Sequence, residues 1–208
     1  MKSKNPKLRQ VADFDTGYQF RGKVEPFDET RAGRLGQPAP AEELVQVIQI
    51  KDFDDDHRLT PETVVTVQLD RWSEKHQVHQ GDVLFLARGH QLFAAVVDQP
   101  VGRAIASGYF FIMRPKADTV GPEYLAWWIN QPRFQAALKP LMRGTHIPLV
   151  SKSDVQSLRI PIPPLSVQRS IVELDQLRLQ EQKLLAAVQK KRSQLIQAIS
   201  MKAARRPS

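Results

Sequence analysis

The sequence has no cysteine. That absence removes disulfide scaffolds, thiolate zinc sites and cysteine nucleophiles, and it fits a cytoplasmic protein. There is no glycine-rich dinucleotide turn, no phosphate-binding loop and no serine or threonine in a nucleophile-elbow context. A glycine-rich turn for a methyl donor is missing, and so is the Asn-Pro-Pro-aromatic signature of an amino-methyltransferase. No apolar run approaches a membrane span, "LAWWI" being far too short. The basic start "MKSKNPKLRQ" is followed by no apolar segment, so no signal peptide is expected. No repeat of 20–50 residues is visible. Together these absences point to a binder rather than a catalyst.

What is present is a chain of 208 residues that is 41% hydrophobic, enough for one ordinary domain and an appendage. The net charge of +8 is unevenly spread. Residues 11–80 carry a net −6, residues 81–170 a net +5 and residues 178–208 a net +7. Basic patches favour nucleic acid because Lys and Arg displace counterions condensed on phosphates. The acidic first part means that any nucleic-acid face is local.

Alternation and β-branching predict strands over 44–50 ("LVQVIQI") and 63–69 ("TVVTVQL"). A buried strand is expected within 81–89, paired with 91–98 across Gly89-His90, and a further strand over 108–115. Residues 25–43, rich in Pro, Gly and charge, read as an exposed loop, and "KDFDDDHRLTPE" as a polar one. Two short helices are predicted in 121–144, started by Pro122 and broken at Pro132 and Pro140. Tyr124, Leu125, Trp128 and Ile129 fall on one face that suits the core. "SKSD", 151–154, has capping-box form, "LRIPIPPL" reads as extended, and Ser166 is placed to cap the helix after it.

From about Val167 to Ile199 there is neither proline nor glycine. Leu174, Val188 and Leu195 share one heptad position; Leu177, Leu184 and Ala198 share the next; Ile171, Leu185 and Ile199 share its neighbour. Such a helix, about 50 Å long, outruns a small domain and needs a surface against which to bury its stripe. The expected interface set is Ile171, Leu174, Leu177, Leu184, Leu185, Val188, Leu195 and Ile199. The expected partition is a domain over 1–165, a spacer or dimerisation helix over 166–200 and a basic disordered tail over 201–208.

Five histidines are present, and His76, His79 and Asp82 are close enough in sequence to consider as a metal triad. The acidic run 52–56 lacks the spacing and glycine of a calcium loop. Solvated surface is the expectation for both, with no metal site.

Three blocks carry a resemblance: "GDVLFLARG", "EYLAWWINQPRFQ" and "RGTHIPLVSKSDVQSLRIPIPPLSVQRSIV". Through Gly81, Asp82, Gly89, Gly144, Thr145, Ile160, Pro161, Pro163, Pro164, Leu165 and Gln168 the chain resembles a target-recognition domain of the specificity subunit of type I restriction–modification enzymes. The likeness runs from about 44 to 200. It implies an α+β domain with a curved, mostly antiparallel sheet and short helices, then one long helix in an antiparallel coiled coil with a partner. In that family the double proline marks where the DNA-reading domain ends.

The resemblance also implies a function. The chain would be a non-catalytic, sequence-specific subunit on double-stranded DNA, needing no cofactor of its own. It would position adenine-methyltransferase subunits, which carry the S-adenosylmethionine, on a bipartite site, together with a restriction subunit where one exists. One recognition domain and one helix are half the usual complement of two. A homodimer would restore the two-fold arrangement and read inverted half-sites. The alternative is a regulatory half-subunit that exchanges with or inhibits a full-length one. Base reading needs Arg, Asn or Gln, and phosphates need Lys, Arg or hydroxyls. The DNA-contact candidates are therefore Arg88, His90 and Gln91 in one turn and Arg143, Thr145 and His146 in another, followed by Lys51, Arg58 and Lys152.

Overall fold

The computed structural model describes residues 5–27, 43–69 and 71–205, and the chain divides into two compact units, Met1–Gln168 and Arg169–Ser208. The loop expected over 25–43 lies almost wholly outside the described residues. In chain order the elements are α1 (Leu8–Val11), β1 (Ala12–Thr16), β2 (Leu44–Ile48), β3 (Val65–Gln68), β4 (Gln77–Val78), β5 (Val83–Leu86), β6 (Ala94–Val96), β7 (Ala104–Ala106) and β8 (Phe110–Pro115). The helices α2 (Pro122–Ile129), α3 (Pro132–Leu138), α4 (Lys152–Ser157) and α5 (Leu165–Ala204) come after them.

The strands divide between two sheets, where one curved sheet was expected. One runs β1-β8-β5-β6 and is antiparallel throughout. The other runs β3-β2-β7-β4, with β2 and β7 parallel and the flanking pairs antiparallel. The class is α+β, with mixed and antiparallel sheets, short helices and a long C-terminal helix.

β5 is the centre of the first sheet because all four of its side chains, Val-Leu-Phe-Leu, are buried. Leu84 and Leu86 face a core shared with Ile48, Val78, Ala104, Ala106, Phe110 and Ile112, from strands of both sheets. The alternate residues Val83 and Phe85 point the other way, toward the side on which α2 packs. A strand covered on both faces reads as an unbroken apolar run, which is why the sequence marks it clearly. On the outer face of the second sheet, Val45, Val47, Val67 and Ile105 form a smaller core with Tyr18, Phe20 and Trp72.

Three strands escape the sequence reading. β1 is short and carries two aspartates, but they sit at alternate positions, with Asp13 exposed and Asp15 paired with Arg114 of β8. β4 has two residues and β7 three, below the length at which periodicity speaks. The chain after β1 runs hard against the loop before β8. A Cβ on Gly17 would overlap the Ser107 carbonyl, so only glycine fits there.

The helices obey their start signals. Pro122 and Pro132 occupy the first turns of α2 and α3, and Ser151 Oγ accepts the Asp154 N–H at the start of α4 (3.1 Å). Tyr124, Leu125 and Ile129 are buried as expected, while Trp128 is only half-buried. Asn130 ends α2 and closes the open edge of the first sheet. Its Oδ1 accepts the Ala94 N–H, and its Nδ2 donates to the Ala94 carbonyl, both at 2.8 Å.

α5 spans 40 residues, about 60 Å. It starts at Leu165, before the expected Val167, and continues to Ala204, into the stretch expected as a disordered tail. Ser166 is inside the first turn rather than capping it, because the first helical bond runs from the Gln168 N–H to the Pro164 carbonyl (3.0 Å). Pro164 loses nothing at that position, since it has no N–H to satisfy.

Gln168 is 2% exposed, and its carboxamide is fully used. Its Oε1 accepts the Gly121 N–H at 2.9 Å, and its Nε2 donates to the carbonyls of Thr119 (3.0 Å) and Pro163 (2.8 Å). One side chain thus holds the first turn of α5, the double proline and the entrance to α2. Gln168→Ala is expected to lower stability by about 2–4 kcal/mol, since three partly buried backbone groups lose their partner. Gln168→Glu places a carboxylate against two carbonyls and is expected to cost more at pH 7. Its titration would be raised in the fold, so stability is regained as pH falls through it. Chemical denaturation at pH 7 and pH 5 measures both.

Candidate nucleic-acid interface

The structure brings two of the candidate loops into contact. The connection between β5 and β6 spans residues 87–93, wider than a tight hairpin, because its first half pairs elsewhere. The Ala87 N–H donates to the Tyr109 carbonyl (2.8 Å), the Gly89 N–H to the Pro148 carbonyl (2.8 Å), and the Val150 N–H to the Ala87 carbonyl (3.0 Å). Arg88 and Leu149 form an antiparallel bridge. The 143–149 loop closes on itself through reciprocal bonds between Arg143 and Leu149, at 2.8 and 2.9 Å. Gly144 turns the loop at φ +98°, where a Cβ would also press on the Ile147 carbonyl oxygen at 3.3 Å. Arg88, His90, Gln91, Arg143, Thr145 and His146 are all exposed on these two joined segments.

A third segment packs beneath them. Phe53 lies 5.4 Å from Phe93 and 5.5 Å from Phe110, ring centre to ring centre. His57 stacks on Phe93 at 4.3 Å with the rings 5° from parallel. The 52–58 loop is therefore fastened by aromatic contacts to the 87–93 connection, and Arg58 rides on it, exposed. Asp54 organises its turn, accepting from the N–H groups of Asp56 and Arg58. Burial holds the His57 imidazole below its ordinary pKa, against the opposing pull of Asp54 and Asp56. The apolar Phe53 inside a polar run is the signal that marks this loop as anchored.

Lys51 and Arg88 line one cleft of about 460 Å³, with Gln19, Phe20, Ile50 and Tyr109 among its other walls. Neither has a carboxylate partner among the described residues. Arg88 instead lies over the Tyr109 ring, its Cζ 5.9 Å from the centroid. Tyr109, 44% exposed, was not singled out by sequence; it sits at the edge of a strand prediction and nothing in its spacing sets it apart. Arg143 has a loose pairing with Asp154 at 3.5 Å and remains mostly exposed, so the pair contributes little. Lys152 stands apart from this group: half-buried, its Nζ donates to the Phe14 carbonyl (3.3 Å).

His76, His79 and Asp82 each have partners within the protein. His76 Nδ1 is 2.7 Å from the Thr16 carbonyl, a pairing that makes it a donor. Asp82 accepts the His79 backbone N–H at 2.8 Å and lies 3.6 Å from Arg114. Burial raises the Asp82 pKa, partly offset by those partners. Among the described residues no three His, Cys, Asp or Glu side chains converge on a point where a metal could sit.

Residues 45–190 match the family described as Type I restriction modification DNA specificity domain. The chain belongs to this family. Three solved structures share the fold. One is the HsdS subunit from Thermoanaerobacter tengcongensis, with 22% identity and a TM-score of 0.63 over 92% of this chain and 46% of that one. A second, from work on complex assembly and conformational transition of the type I R-M system, has 20% identity and a TM-score of 0.58 over 92% and 42%. The third is the type I restriction–modification S subunit from M. genitalium, with 11% identity and a TM-score of 0.53 over 95% and 44%. The chain thus spans a little under half the length of the solved structures it matches. No curated protein sequence matches it.

In this specificity domain the helix α5 bears an uncovered apolar ridge. Leu174, Leu177, Leu184, Leu185, Val188, Leu195 and Ile199 are exposed, Leu184 at 60%, while Ile171 is half-buried. Ile196 and Met201 are also exposed and are outside the expected set. Among the described residues no helix is long and apolar enough to cross a membrane.

The His57 stack gives the interface a pH dependence with a defined sign. The folded pKa lies below the unfolded value of about 6.5, so the contribution is complete above that pH. It is lost as pH falls through the folded pKa, when the imidazole takes a charge against Phe93. Hydrogen exchange of the 54–58 amides is expected to speed up over that window, beyond the intrinsic pH trend, and not in His57→Phe.

Proposed function

We propose that the chain is a sequence-specific DNA-recognition subunit of a type I restriction–modification complex, without catalysis of its own. The family membership supports this, and one observation carries it: three cation-bearing loops, at 50–58, 87–93 and 143–149, are fastened to one another by backbone and aromatic contacts. Lys51, Arg58, Arg88 and Arg143 supply charge for phosphates; Arg88, Gln91, His90 and His146 supply directional donors and acceptors for base edges. Six candidates from two distant stretches of sequence meet at one place, and Lys51 and Arg58 come from the segment packed beside it.

In this reading the apolar ridge of α5 pairs with the same ridge of a second copy, antiparallel, so that two recognition domains address the inverted halves of a bipartite site. Adenine-methyltransferase subunits bring the S-adenosylmethionine, and a restriction subunit joins where the system has one. The exposed ridge equally suits one helix of a full-length specificity subunit, which would make the chain a regulatory half-subunit. Sedimentation separates the two: a homodimer supports the first reading, and a monomer that associates only with a full-length subunit supports the second. Leu184→Glu combined with Val188→Glu is expected to convert the homodimer to a folded monomer.

The DNA part is tested by gel-shift titration of the chain with its methyltransferase subunit on a panel of duplexes. A preferred duplex should bind at least ~100-fold more tightly than random sequence, and the preference should fall in the Arg88→Ala plus Arg143→Ala variant. Equal affinity for every duplex, with the partner present, would contradict the proposal.

A further inference from the structure

Resting on the DNA reading above, we infer that Arg88 is the base-reading residue of the cleft between the 50–52 turn and Tyr109. Tyr109 is its positioning residue, and Lys51 on the other rim is a phosphate contact. The two cations occupy one concave surface but differ in how they are held. Arg88 has its guanidinium over the Tyr109 ring and its backbone bridged to Leu149, so both ends of the side chain are constrained. Lys51 extends from a 3-10 turn (Ile50–Asp52) and is exposed, with no acidic partner among the described residues.

The chemistry of the two groups then assigns their roles. A guanidinium is a planar fork matched to the O6 and N7 acceptors of guanine, and such recognition requires a fixed plane. The aromatic ring supplies that plane in the free protein, so less side-chain freedom is lost on binding. The ring attracts the cation without consuming its N–H groups, unlike a carboxylate, which would compete with the base. An ammonium on a flexible stem is a point charge, suited to phosphate and indifferent to sequence. Ile50, 40% exposed at the cleft, and Ile147, 60% exposed on the joined loop, offer apolar surface of the kind that meets thymine methyl groups beside such a guanine.

The probe is a pool of randomised duplexes, selected at low salt with the full chain and its methyltransferase subunit and sequenced, and then salt titration of the enriched duplex. The wild-type chain should enrich a motif containing a G·C pair. Arg88→Lys should keep the salt slope but lose the preference at that pair by about tenfold or more. Tyr109→Leu should weaken preference at the same pair, and Tyr109→Phe should retain it. Lys51→Gln should leave the motif intact while lowering the log–log salt slope by about 1. A wild-type chain that enriches no motif overturns the DNA reading itself. A wild-type motif preserved in both Arg88→Lys and Tyr109→Leu, in variants whose melting is unchanged, overturns only the assignment of Arg88. A motif altered by Lys51→Gln overturns the division of roles.

Discussion

β5 has no solvent face. Leu84 and Leu86 are locked into the core between the two sheets, and Val83 and Phe85 into the side that α2 covers, so a strand of four residues is held from both directions. Each such side chain, fully buried, contributes about 1.5–3 kcal/mol. The chain leaving this strand at Ala87 therefore emerges at a fixed place. There the Ala87 carbonyl and the Gly89 N–H take up the 148–150 backbone, more than fifty residues downstream. Phe93, at the other end of the same connection, takes up Phe53 and His57. The candidate interface is a consequence of that buried strand: three surface loops inherit their positions from one rigid element, which is how a domain can vary its exposed side chains without disturbing its core.

Polar side chains at three seams complete the domain. Asn130 pairs with Ala94 as a neighbouring strand would, protecting the edge of the first sheet. Arg114 donates to the Gln77 carbonyl and pairs with Asp15 and Asp82, tying the first sheet to β4 of the second. Gln168 binds the backbone at Thr119, Gly121 and Pro163. Each satisfies backbone groups that apolar packing alone would leave stranded, and such satisfied contacts fix one arrangement among the many that hydrophobic burial would tolerate.

Legibility in the sequence depends on the strength of the local signal. The unbroken apolar run of β5, the alternation in β2, the prolines that open α2 and α3 and the Ser151–Asp154 cap all act within a few residues, and all are visible in the chain. β7 and β4 are too short to show a period, and β7 pairs in parallel with β2 across more than fifty residues. Their existence, and hence the split into two sheets, depends on tertiary pairing. In the candidate interface, Arg88 and Arg143 are candidates by residue type, whereas Tyr109 carries no mark of its own in the sequence: only the fold sets its ring beside Arg88. Lys152, the first residue of α4, shows the converse: its ammonium is taken by the Phe14 carbonyl. The long helix was legible in its heptads. Its ends differ from expectation because Pro164 serves as the last non-helical residue and no breaker stands between Ile199 and Ala204.

In the proposed reading, the joined 87–93 and 143–149 segments, with the 50–58 loop beside them, form the face that meets DNA. Ultraviolet crosslinking of the full chain to bromodeoxyuridine-substituted duplex, with peptide mapping of the products, reads that face out. Crosslinks concentrated in peptides containing Arg88–Gln91 and Arg143–Leu149 are the predicted result. Crosslinks confined to the stacked Trp72–Arg103 pair, or none at all with binding intact, would contradict it.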